Sequence, residues 1–371
     1  MTALINAANL HRGGAVQVAA SFISELASQD DGRADFEVMM SSEVARNVAA
    51  TLGERYDPAR YRILDVRGFD LRNRAAREIL DEFDTVFTVF GPLYRWKPGF
   101  RSIVGFAQAW ITYPDNECYA NLPLGERLKE RAKYNIQAAF FKRADILVVE
   151  LEHVKAGLVR ELGIAPERIH VIHNCVSSIY ADPQVWQAVT LPPAHSDLRL
   201  GFLGRNYLHK NTAIFPQIVR HLRDGHGIDA RFFVTFTQAE WAACTAEFRE
   251  VCINVGPLSM AQCPNFYRAL DAVVFPSLLE SFSATPLEAM AMEKPLFASD
   301  RPFNRDVCSD HAVYFDPLAP ETAAERIAGM FGGAGPDEKA LLAARNHAFA
   351  FASPGERARK YLALLNADAT V

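Results

Sequence analysis

The sequence predicts an α/β protein built from two doubly wound, Rossmann-like domains that face a crevice. Short β-rich runs alternate with longer segments of helical period along the whole chain, which is typical of βα units around a parallel sheet. The 371 residues, 50% of them hydrophobic, are enough for two separate cores. A stretch with three prolines and no sustained period, residues 177–197, separates the two alternating series.

The first series predicts an N-terminal domain over residues 1–176. Its predicted strands are 3–8, 36–40, 61–66, 85–90, 102–106, 146–149 and 170–172. Residues 177–197 form the predicted linker. The second series predicts a domain over residues 198–353, with strands 199–203, 231–235, 272–275, 295–298 and 312–314. Residues 354–371 follow a Ser353-Pro354 start signal and predict a closing helix that packs back on the first domain.

Composition and charge exclude several classes of protein. The net charge of −5 lacks the basic excess typical of nucleic-acid binding. Six scattered cysteines without a CxxC pair indicate reduced thiols and a cytoplasmic location. The longest apolar run, residues 269–279, is shorter than the roughly 20 residues of a membrane span and is interrupted by Asp271 and Pro276. The sequence therefore predicts neither a nucleic-acid partner nor a spanning helix.

The most specific motif comprises residues 280–288, between a predicted strand and a predicted helix, with an acid at each end. Pro286 suits a first helical turn, so free backbone N–H groups around Ser283 to Thr285 would form an anion cradle. Ser281, Phe282 and Ser283 are therefore candidate donor-binding residues. Glu288 could reach a pair of vicinal hydroxyls, and Glu280 the hydroxyls of a second ring. Two alternatives stay open: helix-start acids that complement the macrodipole, and the paired carboxylates of a glycosidase, which would not need a phosphate-type loop.

Two cations follow the first strand of the second domain. Arg205 ends the run Gly201–Arg205, and Lys210 lies five residues later at the entrance of a predicted helix. A guanidinium fork and an ammonium at a helix N-terminus suit a departing diphosphate and could replace a divalent metal ion. Solvated surface charges are the alternative.

A Gly-Gly pair follows the first strand of the first domain. Gly13 and Gly14 would let the backbone approach a ligand closely, as in phosphate-binding turns. A plain tight turn explains the same pair equally well.

With these motifs the chain resembles the retaining GT-B glycosyltransferases of family 4 over essentially its whole length. The resemblance rests on Gly13-Gly14, on residues 144–149 and 163–174, on Gly204-Arg205 with Lys210-Asn211, and on residues 280–288. It implies that Glu288 binds the nucleotide ribose, that Glu280 contacts the donor sugar, and that Arg205 and Lys210 hold the diphosphate. It also places the acceptor on the N-terminal domain.

The sequence departs from this family at three positions. Ser281 and Ser283 stand where many members have glycines, which puts the sugar contacts there in doubt. Many members also have a first-domain histidine, for which Gln108 is the candidate counterpart here. An amide at this position could hold a sugar hydroxyl, but it could not act as a base.

The implied reaction uses a nucleotide-diphosphate sugar as donor and a glycan or lipid-linked glycan as acceptor, in surface polysaccharide synthesis. We expect no cofactor and no metal ion, because no Asp-x-Asp signature follows a strand. Aromatic and basic residues interleave in segments 94–101 and 124–143, which either rest peripherally on the inner membrane face or form a solvated surface. The alternative functions are a non-catalytic nucleotide-sugar or glycan-binding protein, a nucleotide-sugar epimerase and, less well matched in length, a phosphorylase.

Overall fold

The computed structural model describes residues 2–28, 36–68, 74–193 and 198–367. The chain divides into two compact units: unit 1 comprises Met1–Pro114, Leu122–Asn174 and Ser353–Val371, and unit 2 comprises Asp115–Asn121 and Cys175–Ala352. Residues 194–197 of the predicted linker and 368–371 of the predicted closing segment lie outside the described residues.

Unit 1 is built on a parallel sheet with the strand order β3-β2-β1-β4-β5-β6-β7 in the described residues. Its strands are β1 Ala3–Ala7, β2 Phe36–Met40, β3 Arg62–Ile63, β4 Thr85–Thr88, β5 Arg101–Gly105, β6 Ile146–Val149 and β7 Ile169–Val171. Its helices are α1 Gly14–Ser28, α2 Ser42–Leu52, α3 Arg74–Leu80, α4 Ala109–Thr112, α5 Leu124–Phe141, α6 Glu152–Leu162 and α15 Pro354–Asn366. The strand order reverses between β1 and β4, so the topological switch point lies there.

The C-terminal helix α15 belongs to the core of unit 1. Ser353 caps its N-terminus by accepting a hydrogen bond from Glu356 N, and Pro354 occupies its first turn. The Tyr361 ring packs edge-on against Phe22 of α1 and tilted against Phe87 of β4, with both centroid distances 4.9 Å. Arg357, 2% exposed, donates hydrogen bonds to Asn174 and to Ser21. Aromatic packing and a buried guanidinium together fix α15 on unit 1.

Unit 2 is built on a second parallel sheet, with the order β10-β9-β8-β11-β12-β13 in the described residues. Its strands are β8 Leu198–Phe202, β9 Ala230–Val234, β10 Cys252–Asn254, β11 Ala272–Phe275, β12 Leu296–Ser299 and β13 Val313–Phe315. Its helices are α7 Phe215–His226, α8 Gln238–Ala242, α9 Ala246–Val251, α10 Cys263–Arg268, α11 Ala284–Ala291, α12 Pro302–Cys308, α13 Pro320–Phe331 and α14 Glu338–Phe351. Here the switch point lies between β8 and β11.

The described part of the predicted linker is bound into unit 2. Trp186 Nε1 donates to Ile179 O at 2.7 Å, and Gln187 N donates to Ala261 O at 2.8 Å. Tyr180, in the helical turn Ser178–Ala181, is only 3% exposed. A proline-rich stretch without a period can still bury an aromatic side chain and bond its backbone to a neighbouring element.

One strand of the second sheet was not predicted from the sequence. β10 has three residues and pairs only with β9, from Cys252 opposite Phe232 to Asn254 opposite Val234. A run this short has no periodicity that separates it from a loop. The remaining predicted strands lie within a few residues of the observed ones, as element boundaries predicted from sequence generally do.

Candidate functional site

The predicted donor residues of unit 2 gather at the carboxyl ends of the two strands that flank its switch point. Arg205 and Lys210 follow β8, and Glu280 follows β11. A backbone hydrogen bond from Leu278 N to His209 O, 2.8 Å long, ties the two loops together. Ligands of open α/β sheets bind at this position, because the connections diverge there to opposite faces of the sheet.

Lys210 and Glu280 form an ion pair in this cluster. The distance from Lys210 Nζ to Glu280 Oε1 is 2.6 Å, and the two side chains are 14% and 9% exposed. Lys210 Nζ also lies 5.1 Å from the centroid of the Phe275 ring. The ammonium is thus held at the end of β11, where it could meet an anionic ligand.

Arg205 is more exposed and pairs with an acid that the sequence analysis did not identify. Its Nε lies 2.9 Å from Glu240 Oε1, and the two side chains are 48% and 16% exposed. Glu240 also completes the capping box of α8 with Thr237. Partial burial raises the pKa of Glu240, but hydrogen bonds from Thr237 and Arg205 outweigh it, and the pKa is lowered. Glu240 is therefore an ionised partner that holds the guanidinium.

Glu288 lies in the middle of α11 and is almost completely buried, at 9% exposure. Its Oε2 accepts a hydrogen bond of 2.8 Å from the Tyr267 hydroxyl. Burial raises the pKa of Glu288, against the hydrogen bond from Tyr267 and the charge of Lys210. A buried carboxylate that accepts a hydrogen bond from a phenol inside a helix is not an ordinary helix-start acid.

The N-terminus of α11 separates the two acids. Ser281, Phe282 and Ser283 are half-buried, and Ser283 is the N-cap residue but makes no side-chain capping bond. Thr285 donates from its hydroxyl to Leu203 O at 3.3 Å, which places the start of α11 beside the end of β8. The first-turn N–H groups of α11 are thus directed toward the end of the sheet where Arg205 and Lys210 lie.

The remaining predicted residues lie in unit 1. Gly13 has a φ of 72°, in the left-handed region that favours glycine, and Gly14 is the first residue of α1. A Cβ atom at either position would meet nothing within 4 Å. Gln108, half-buried, precedes α4 as its N-cap residue after β5. The roles predicted for these residues, and for those in unit 2, stay predictions.

Unit 1 has a cavity of about 240 Å³ at its own switch point. Among its lining residues, Asn6 lies near the end of β1 and Asn9 follows that strand, while Leu93, Tyr94 and Arg95 follow β4. The other lining residues are Met39, Val66, Gly68, Ala76, Arg77, Leu80, Thr88 and Pro92. The Oδ1 atom of Asn9 is buried without a hydrogen-bond partner in the described structure. The cavity thus combines apolar walls with amides and two guanidinium groups.

A cavity in unit 2, about 370 Å³ in volume, lies away from the predicted donor residues. It is lined by Ala230 at the start of β9 and by Val251 at the end of α9, among others. Ligands of such sheets bind at the carboxyl ends of the strands, so we do not assign the donor to it.

In the described ranges no cluster of three or more His, Cys, Asp or Glu could hold a metal ion, and no helix is long and apolar enough to cross a membrane.

A large part of unit 2 matches a known protein family. Residues 194–339 match the family described as glycosyl transferases group 1. The O-antigen chain mannosyltransferase RfbU of Salmonella typhimurium is 22% identical over 170 residues, and the match spans 44% of either protein, less than half of the relative's length. The match to the group 1 family contains Arg205, Lys210, Glu280 and Glu288.

Solved structures match the chain along nearly its entire length. A glycosyltransferase from Rickettsia africae has a TM-score of 0.69 at 17% identity, over 98% of this chain and 97% of that one. Anabaena Alr3699/HepE, in complex with UDP and glucose, has a TM-score of 0.65 at 14% identity, over 98% of this chain and 100% of that one. The chain has the GT-B glycosyltransferase fold. The predicted α/β class with two doubly wound sheets is thereby confirmed.

Three further residues lie beside the predicted ones but were not predicted from the sequence: Glu240, Tyr267 and Tyr180. Glu240 is 35 residues from Arg205, and Tyr267 is 21 residues from Glu288. The capping-box pattern of Thr237 and Glu240 was visible in the sequence, but it indicated only a helix start. A short-range pattern does not reveal which distant side chain a buried acid will contact.

Proposed function

We propose that the protein is a retaining, metal-independent glycosyltransferase that moves a sugar from a nucleotide-diphosphate-sugar donor to a glycan or lipid-linked glycan. One observation supports this most: two cations after β8 and an acid after β11 meet at the switch point of unit 2, beside a buried acid in α11. The diphosphate would meet Arg205 and Lys210, the ribose Glu288, and the donor sugar Glu280.

In this mechanism the protein contributes position and charge stabilisation. The bond between the anomeric carbon and the diphosphate oxygen breaks, and the diphosphate gains negative charge beside Arg205 and Lys210. The acceptor hydroxyl attacks from the same face and gives its proton to the departing phosphate oxygen. We assign to Gln108 the holding of a sugar hydroxyl, and to residues 281–283 backbone contacts to the donor.

The switch-point cavity of unit 1 is our candidate for the acceptor. Asn9 offers a buried amide oxygen that has no hydrogen-bond partner in the described structure, while Met39 and Leu93 offer apolar contact. Arg77 and Arg95 would attract an acceptor with an anionic group, as lipid-linked glycans carry. The match to an O-antigen mannosyltransferase supports a role in surface polysaccharide synthesis.

We further propose that the protein acts in the cytoplasm and rests peripherally on the inner membrane face. Helix α5 exposes Leu124 at 72%, Leu128 at 60% and Ile136 at 55%, at helical spacings of four and eight residues. The basic residues of the same segment are Arg127, Lys129, Arg131, Lys133, Lys142 and Arg143. Apolar side chains beside basic ones suit an anionic lipid surface.

Two measurements test the proposed function. A thermal-shift screen with nucleoside diphosphates and nucleotide sugars should show stabilisation by one base series. Incubation with the matching donor should then release free sugar slowly. NMR should show that the released sugar keeps the anomeric configuration that it had in the donor, and EDTA should leave the rate of release unchanged. A non-catalytic binding protein would be stabilised but would release no sugar, and an epimerase would change the sugar of the donor instead of releasing it.

A further inference from the structure

The buried carboxylate of Glu288 is held by groups from outside its own helix. Glu288 lies on α11, and its Oε2 accepts a 2.8 Å hydrogen bond from Tyr267 of α10. The Tyr267 side chain is fully buried. Because a carboxylate out of contact with bulk water loses much of its solvation, such a donor replaces water that the site excludes.

A second phenol lies beside the same carboxylate. Tyr180 is 3% exposed, and its ring centroid is 6.2 Å from that of Tyr267. Burial raises the pKa of Tyr180 well above its usual value, and the charge of Glu288 is the next cause. Tyr180 comes from the turn Ser178–Ala181 and Tyr267 from α10, so two separate segments of unit 2 converge on this acid.

The groups around Glu288 oppose the effect of its burial. Burial raises the pKa of Glu288 above its ordinary value, although the hydrogen bond from Tyr267 and the charge of Lys210 oppose this. The Tyr180 hydroxyl is buried and has no hydrogen-bond partner among the described residues. The thiol of Cys263, 5% exposed, also lies near Glu288, and burial raises its pKa to about 12, so it stays neutral. The hydrogen bond from Tyr267 therefore favours the ionised form of Glu288 relative to a site without it.

We propose that Tyr267 is a positioning residue that fixes the orientation of the Glu288 carboxylate, so that it binds the vicinal hydroxyls of the donor's ribose. This inference rests on the proposed function, because it takes the ligand of Glu288 to be a ribose. Tyr267 donates to Oε2 of Glu288, and the ribose hydroxyls would donate to the lone pairs that remain. A fixed carboxylate loses less side-chain freedom when the donor binds.

The test compares UDP with 2′-deoxy-UDP, and GDP with 2′-deoxy-GDP, in the parent protein and its Tyr267→Phe variant, by isothermal titration calorimetry. Loss of a hydrogen bond to a charged group should weaken the ribonucleotide about 10-fold or more. The 2′-deoxynucleotide should lose much less, so the preference for ribose shrinks. Tyr361→Phe, which alters a buried phenol in unit 1, is the control and should leave both affinities unchanged.

The pH dependence of affinity supplies a readout that a merely structural role would not move. Without the Tyr267 hydroxyl the pKa of Glu288 rises further, so the carboxylate becomes protonated at a higher pH. On acidification, the ribonucleotide affinity of Tyr267→Phe should therefore begin to fall at a higher pH than that of the parent. The inference is overturned if Tyr267→Phe keeps the ribose preference and the pH profile, or if it weakens ribo- and deoxynucleotide binding equally. Glu288→Gln separates the two proposals: if it too leaves ribonucleotide affinity unchanged, the proposed donor site itself is wrong.

Discussion

Lys210 and Glu280 form a nearly buried ion pair, with Nζ 2.6 Å from Oε1, at the end of the sheet where the diphosphate and the donor sugar are proposed to meet. The two groups have different proposed ligands, the phosphates for Lys210 and the sugar for Glu280. In the donor-free protein, each of the two buried charged groups is neutralised by the other, which offsets the cost of removing them from water. In the proposed mechanism the same two side chains therefore serve both stability and catalysis, and variants can separate the two roles.

The first prediction concerns stability. Lys210→Met should lower the free energy of unfolding of the protein by about 3 kcal/mol, because Glu280 is left buried without its partner. Lys210→Met combined with Glu280→Gln should recover most of that loss, yet both variants should lack turnover. Urea unfolding provides the stabilities. A Lys210→Met protein as stable as the parent would show that the pair is not needed to balance the buried charge.

The second prediction concerns Glu240, which competes with the diphosphate for Arg205. Glu240→Gln keeps the capping box of α8, because glutamine also serves at that position, but removes the charge that holds the guanidinium. Exposed pairs of this kind are worth up to about 1 kcal/mol, so nucleoside diphosphate affinity should rise by up to about fivefold. Calorimetry with the preferred nucleotide measures this affinity. A clear loss of affinity in Glu240→Gln would indicate that Glu240 orients Arg205 for the diphosphate instead.

Much of the site was predictable from sequence because its residues follow strands or open helices. Glu280 and Glu288 bracket a strand-to-helix turn, and Arg205 and Lys210 follow the first strand of their sheet, so local pattern was sufficient. The tyrosines near Glu288 were not predictable. Tyr180 belongs to a stretch interpreted as a linker, and Tyr267 lies in the six-residue helix α10. Neither has a local pattern that differs from ordinary core packing, because only the fold brings α10 and the turn Ser178–Ala181 close to Glu288 of α11.

The third prediction concerns the cavity of unit 1. Leu93 lines it and is half-buried, so Leu93→Trp should fill part of the space with an indole ring. Transfer to an alkyl-linked glycan should then fall through a higher acceptor KM, while donor hydrolysis in the absence of acceptor stays at the parent rate. Ile63→Trp, at an exposed position of β3, is the matched control. An unchanged acceptor KM in Leu93→Trp would remove this cavity from the acceptor site.

The fourth prediction concerns the pH dependence of stability. Burial raises the pKa of Glu150 to about 7, although its hydrogen bond from Asn174 and the charge of Arg357 oppose this. The unfolded carboxyl titrates near its ordinary value, so the folded protein binds more protons between roughly pH 4.5 and 7. This contribution to stability is complete below that window and is lost as the pH rises through it. Glu150→Gln should flatten this part of the stability profile in urea unfolding; an identical slope in both proteins would contradict the assignment.

The most direct test of the account is the turnover of Arg205→Ala and Lys210→Ala, because the proposed mechanism depends on positive charge at the leaving diphosphate. Each variant should lose roughly 100- to 1,000-fold in kcat, about 3 to 4 kcal/mol, with a smaller loss of donor affinity, because the diphosphate gains charge only as its bond breaks. Arg220→Ala is the control, since Arg220 forms an exposed ion pair with Glu247 in the same unit. A kcat within about threefold of the parent in both Arg205→Ala and Lys210→Ala, well under 1 kcal/mol, would contradict this placement of the diphosphate.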